Sequence, residues 1–256
     1  MLETLSLLII AGYATWGAVV GLVVGFTAIG TGLLGTPGLI ILFALDPVTA
    51  VGTMSVAAVV MMGAGAAAHG RENNIHLPIS LLFLLTAIPA SYAAARYARR
   101  INDLIPLETV VGVVIVVSVV LLFYRYVIMR PRPRELRVKR RHLAAAPVLG
   151  LLLGVLMGAT SISGSIIIIS FILILKLPAP YAVGSTTLVT MVSLFVASIA
   201  HVQSGNVNWI ALIGLLPGVL VGSVLGARFV NRVPREVLRI GILVILFAAG
   251  VMVFLN

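Results

Sequence analysis

The sequence predicts an all-α polytopic membrane protein of two inverted repeats, each with a broken or short helix pair followed by three spanning helices. Three observations carry this. The chain is 61% hydrophobic and only 9% charged, with a mean hydropathy of +1.21, far outside the range of soluble domains. Two stretches, Gly25–Pro37 and Gly158–Ser165, interrupt apolar sequence with Gly, Ser and Thr and carry no charge. They also recur at matching places in the two halves of the chain. In lipid, irregular backbone is tolerated only where it is buried in protein or lines a cavity. Paired Gly-interrupted segments of this kind point to a transporter's binding site.

A spanning helix needs about 20 apolar residues. Residues 5–27 qualify, and after Gly30-Thr31-Gly32 comes a run, 33–45, too short to span alone. Asp46-Pro47 ends that run and starts the next helix, with Asp at the N-cap and Pro at the first helical position. That helix is expected over 47–68, followed by a polar turn from His69 to His76. Spans at 78–96 and 107–128 complete residues 1–129, separated by a loop bearing Arg96, Arg99 and Arg100. The segment 130–142 then carries seven Lys or Arg against one Glu. By the positive-inside tendency this linker is cytoplasmic.

Residues 143–256 repeat the pattern. An apolar segment at 144–160 meets the break Ser161–Ser165, and a short run at 166–175 leads to a helix over 180–200. A turn with His201, Gln203, Ser204, Gly205 and Asn206 precedes spans at 208–228 and 236–255. Gly21 and Gly25 match Gly154 and Gly158, Val51-Gly52-Thr53 matches Val183-Gly184-Ser185, and His69 matches His201, all at offsets of 132 or 133. Ordered matches of Pro, Arg and Glu follow, ending with Glu108 and Glu236. With the 130–142 linker inside, the arginines at 96–100 fall outside and those at 228–239 inside. The halves are then opposed, with both termini outside the cytoplasm.

The net charge of +10 lies between the hydrophobic segments, where it sets topology and meets lipid headgroups rather than nucleic acid. The absence of cysteine removes disulfides and thiolate metal sites. No metal or cofactor motif stands out. There is no His-Glu-x-x-His, no Gly-x-Ser-x-Gly and no paired acid within a span, so an enzyme is not expected. Gly30-x-Gly32-x-x-Gly35 has the form of a dinucleotide fingerprint but lacks the preceding strand and the following acid.

The deep segments contain no Lys, Arg, Asp or Glu. An anion site there must use backbone amides, hydroxyls and helix N-termini, which carry about half a positive charge. Gly30, Thr31 and Gly32 in one break, with Ser163, Gly164 and Ser165 in the other, are the candidate substrate-binding residues. Thr53, Ser185, Thr186 and Thr187 are candidates to flank them. His69 and His201, at matched helix ends, are candidate gating or proton-linked groups near the cavity mouths. The opposing reading makes Gly17, Gly21 and Gly25 plain helix-packing contacts, and has the hydroxyls bond their own backbone.

Two halves that each open with Gly-x-x-x-Gly, a Gly/Ser/Thr break, a short run and then Gly52-Thr53 or Gly184-Ser185-Thr186 resemble the TauE/SafE family of sulfite exporters (TSUP) over nearly the whole chain. Many members carry a fuller glycine run where Gly30-Thr31-Gly32-Leu-Leu-Gly35 stands. The resemblance implies a secondary transporter of the prokaryotic cytoplasmic membrane. It implies export of a small sulfur-containing anion such as sulfite, sulfoacetate or another organosulfonate by alternating access. An anion channel, or a carrier for a non-sulfur organic anion, is the alternative. The expected partners are that small anion and the bilayer, with a homo-oligomer left open.

Overall fold

The structure is a computed structural model that describes residues 2–27, 32–124, 139–229, 244 and 247. The described residues are helical, with elements α1 (Leu2–Thr27), α2 (Gly32–Phe43), α3 (Pro47–Arg71), α4 (Leu77–Arg96), α5 (Ala98–Leu104), α6 (Leu107–Phe123), α7 (Arg140–Thr160), α8 (Ser165–Leu173), α9 (Ala179–Gln203) and α10 (Trp209–Phe229). α1, α4, α7, α9 and α10 are long and apolar enough to cross a membrane, and α5 with α6 forms a candidate sixth crossing, bent by 88°. α3 has 25 residues, but its apolar run, Pro47–Gly63, is shorter. The chain is a multi-pass membrane protein.

Local chemistry explains the boundaries. Asp46 Oδ2 accepts the Thr49 N–H and the Thr49 hydroxyl, both at 3.0 Å, which caps α3. His76 Nδ1 accepts the Ile79 N–H at 3.3 Å, and Asn208 Oδ1 accepts the Ala211 N–H at 3.0 Å, so α4 and α10 start alike. Residues 96–107 correct an expectation. Within them Ala98–Leu104 is the short helix α5, where an arginine-bearing loop was expected. Pro106 has no N–H to continue a helix, and Asn102 Oδ1 instead takes the Leu107 N–H at 2.9 Å. The basic linker belongs to the described residues only at its end, where Arg140–His142 already open α7. The expected span 236–255 lies outside the described residues apart from 244 and 247.

The two halves interlock. α1 packs most extensively on α10, and α4 on α7. A Cβ at Gly17 or Gly21 would overlap the Leu215 or Val219 carbonyl, and one at Gly150 or Gly158 would overlap the Phe83 or Ser91 carbonyl. Backbones thus touch directly along both seams, as small residues permit in membranes. Further contacts join α3 and α9 to the opposite half. The Thr53 hydroxyl accepts the Asn208 N–H at 3.0 Å, and the Ser185 hydroxyl accepts the His76 N–H at 2.8 Å. Gly52 lies against the Asn206 carbonyl, and Gly184 against the Asn74 carbonyl. Each of these contacts recurs with its partners exchanged between halves.

Candidate functional site

The two breaks meet. α7 ends at Thr160, and Ser161 turns the chain with φ of 56°, followed by Gly164 at φ of 81°. Gly32, the first residue of α2, lies so close to the Ser161 carbonyl that a Cβ would overlap it. Thr36 and Ser161 join hydroxyls at 2.7 Å. The Ser161 hydroxyl donates to the Thr160 carbonyl at 2.6 Å, so Thr36 is the donor in that pair. The Thr160 hydroxyl accepts the Ile162 N–H at 3.2 Å and donates to the Leu156 carbonyl. This side of the junction is therefore internally satisfied.

The other side is not. α8 begins at Ser165 after the N-cap Gly164, and no side chain caps it; the Ser165 N–H bonds the Ser163 carbonyl at 3.1 Å. Ser163 and Ser165, at 2% and 0% exposure, have hydroxyls without a hydrogen-bond partner. Thr186, Thr190 and Ser193 of α9 are also buried and unpartnered. Their spacing of i, i+4 and i+7 puts them on one helix face. Ile167 and Phe171 of α8 share an apolar cluster with Ala182, Val189 and Leu194, which holds the two helices together. Each unpaired buried hydroxyl costs about 1–3 kcal/mol. Two of them at a helix start without a side-chain cap, and three on one face of the helix packed beside it, form a donor-rich, uncharged set suited to an oxyanion.

The other candidates are placed as follows. Gly30 and Thr31 lie outside the described residues. The Thr53 hydroxyl donates to the Thr49 carbonyl at 2.7 Å while it accepts from Asn208, so its one proton goes to its own helix and a lone pair to the joint between halves. Ser185 holds the matching joint at His76. Thr187 bonds back to the Val183 carbonyl at 2.9 Å, the local alternative open to any hydroxyl on a membrane helix. His201 is fully buried, with Nε2 3.0 Å from the Gly158 carbonyl and Nδ1 unpartnered. It therefore sits within the protein beside the second break rather than at an open mouth. His69 is half-buried, and its Nδ1 has no partner.

Sequence reasoning missed Thr190 and Ser193. The signal was their helical spacing from Thr186. The counterparts of Thr186, Thr190 and Ser193 at an offset of 132 are Met54, Ala58 and Met61. Met54 fills the space over Gly35. Among the described residues, the unpartnered hydroxyls of the junction belong to the second half. No group of three His, Asp or Glu side chains among the described residues is arranged to hold a metal.

Comparison with known proteins adds an independent observation. The model of the family described as "Sulfite exporter TauE/SafE" matches residues 13–253. The chain is 27% identical over 236 residues to the probable membrane transporter protein YdhB of Bacillus subtilis (strain 168), covering 91% of this chain and 95% of that protein. It is 29% identical over 233 residues to the probable membrane transporter protein YjnA of the same organism, covering 84% and 90%. No solved structure matches.

Proposed function

The chain belongs to the sulfite exporter TauE/SafE family, and from that premise we propose that this membrane transporter exports a small sulfur-containing anion: sulfite, sulfoacetate or another organosulfonate. The observation that carries the reading is the set of five unpartnered hydroxyls, Ser163 and Ser165 at the start of α8 and Thr186, Thr190 and Ser193 on one face of α9. A carboxylate, sulfite or sulfonate accepts hydrogen bonds from such donors and needs no buried counter-ion if a helix N-terminus faces it. A site without a fixed cation also releases its cargo more easily than one with a buried arginine.

In this reading the halves are inverted across the bilayer and rock about the junction of the two breaks, alternating access to α8 from either side. Gly32 and Thr36 support the Ser161 turn, while Ser163 and Ser165 bind the anion and Thr186 flanks it. The 130–142 linker faces the cytoplasm of a prokaryotic cell. Export of an anion is driven by an inside-negative potential, at about 2.3 kcal/mol per charge per 100 mV. No coupling ion is then required.

Thermal unfolding of purified protein in detergent, against sulfite, sulfate, thiosulfate, sulfoacetate, taurine, acetate and chloride, tests the proposal. A ligand at 100 times its Kd adds about 2.7 kcal/mol to apparent stability. Selective stabilisation by sulfite or a sulfonate, lost in Ser163→Ala/Ser165→Ala, is expected. A response confined to acetate moves the substrate class to organic anions without sulfur. A double variant that responds like the parent removes the site.

A further inference from the structure

The turns after α3 and α9 share a backbone plan, and the exchange of Glu72 for Ser204 leaves a side-chain amide of the second turn without its partner. Asn73 and Gly205 take left-handed backbones with φ of 54° and 69°. The Asn73 N–H bonds the Gly70 carbonyl at 3.2 Å, as the Gly205 N–H bonds the Val202 carbonyl at 3.1 Å. The Asn74 N–H then bonds the His69 carbonyl at 3.1 Å, as the Asn206 N–H bonds the His201 carbonyl at 2.9 Å. In the first turn the Asn74 side-chain amide donates to the Glu72 carboxylate at 2.9 Å. The residue equivalent to Glu72 is Ser204. Asn206 has no carboxylate to meet, and its Nδ2 is buried without a partner.

The charge around this amide is opposite to that in the first turn. Arg99 Nε donates to Asn206 Oδ1 at 2.8 Å, which leaves Nδ2 as the unpartnered donor of that amide. Arg96 Nη1 donates to the Ser204 hydroxyl at 2.9 Å. Both arginines are exposed at their own positions, so either can swing to admit a ligand. We infer that Asn206, Ser204, Arg96 and Arg99 form a peripheral site that captures a small oxyanion at the outer face, where an exported anion leaves, in the place that the Glu72 carboxylate fills in the first turn. Arg99 covers Asn206 when the site is empty and clamps the anion when it is filled, a role suited to a planar guanidinium. The amide is linked through the Asn206–His201 backbone bond to the histidine on Gly158, two residues before the end of α7. The site therefore lies on a covalent and hydrogen-bonded route toward the central hydroxyls. This inference rests on the transporter reading for its purpose but not for its chemistry.

The test uses the full chain, with sulfite and acetate as probes and Ser204→Glu as the deciding variant. Ser204→Glu restores the internal carboxylate, so it is expected to raise the Tm and to fill the site from within. Binding is measured in Ser163→Ala/Ser165→Ala, where the central site is disabled, with and without Ser204→Glu. A residual, weaker, salt-sensitive binding that Ser204→Glu abolishes supports the capture site. Residual binding that survives Ser204→Glu, or no residual binding at all, overturns it and leaves the central reading standing. Full binding in the double-alanine protein that Ser204→Glu then removes supports the capture site and refutes the central one. Delipidated protein and protein with added phosphatidylglycerol are compared throughout. A Ser204-dependent response to the lipid alone identifies the oxyanion as a headgroup phosphate, and a response to sulfite or acetate identifies it as a free anion.

Discussion

Gly32→Ala tests whether the two breaks are locked together. A Cβ at this position collides with the Ser161 carbonyl oxygen and carbon and with the Ile162 nitrogen, all of them backbone. No side-chain rotation relieves that overlap, so α2 must shift away from the α7–α8 turn. Overpacking of this kind costs about 1–3 kcal/mol. The shift also parts Thr36 from Ser161, leaving a buried hydroxyl unpaired for about another 1–3 kcal/mol. The expected loss is therefore about 2–6 kcal/mol, read by denaturant unfolding in detergent micelles. Gly63→Ala is the internal control, because its nearest neighbour is the Met191 sulfur at 4.0 Å. There the exchange is neutral or stabilising by up to about 1 kcal/mol, from helix propensity. Thr36→Val alone is expected to cost about 1 kcal/mol, and to cost little more once Gly32→Ala has opened the joint. If Gly32→Ala behaves like Gly63→Ala, or if the two junction substitutions simply add, the breaks are not held against each other as described.

Thr190→Val removes an unpartnered buried hydroxyl at constant shape. It is expected to raise stability by about 1 kcal/mol while weakening anion binding, so unfolding and ligand-shift curves should move in opposite directions. Gly52→Ala and Gly184→Ala press on the Asn206 and Asn74 carbonyls. Both should destabilise by about 1–3 kcal/mol, and a large disparity would contradict the exchange of contacts between halves. Burial holds the His76 imidazole below its ordinary value of 6.5, against the raising effect of its backbone hydrogen bond. The unfolded state thus binds the proton more readily, so this contribution is complete above that value and is lost as pH falls through and below it. His76→Asn, which copies the cap that Asn208 supplies, should flatten the pH dependence of Tm between about 7 and 5 without lowering Tm at pH 8.

The apolar elements could be read from the sequence because spanning length and breaker residues leave few choices. The short run expected at 166–175 is α8 at Ser165–Leu173, and the helix expected at 180–200 is α9 at Ala179–Gln203. α5 could not be read, since Ala98-Arg-Arg-Ile-Asn-Asp-Leu has helix formers inside what its charge marks as a loop. The site was readable as a class of residues but not as an assignment of roles. Thr53 and Thr186 look alike in sequence. One meets Asn208, 155 residues away, and the other meets nothing. Such long-range pairing leaves no local periodicity to detect, and it separates a structural hydroxyl from an available one.

The glycine seams have a consequence for how the protein is made. Gly17 and Gly21 lie on α1, but the surface they fit, Leu215 and Val219, belongs to α10. At about 5–20 residues per second, ribosomes need on the order of 10–40 s to deliver α10 after α1. During that interval the narrow glycine face of α1 has only lipid, or a chaperone, against it. The other seam closes sooner, because only α5, α6 and the linker separate α7 from α4. Biogenesis is thus ordered from the middle outward, with α4 and α7 joining first and α1 waiting for α10. A chain cut within residues 130–138 would yield two fragments that each lack the partner for their own glycines. They would assemble only when produced together.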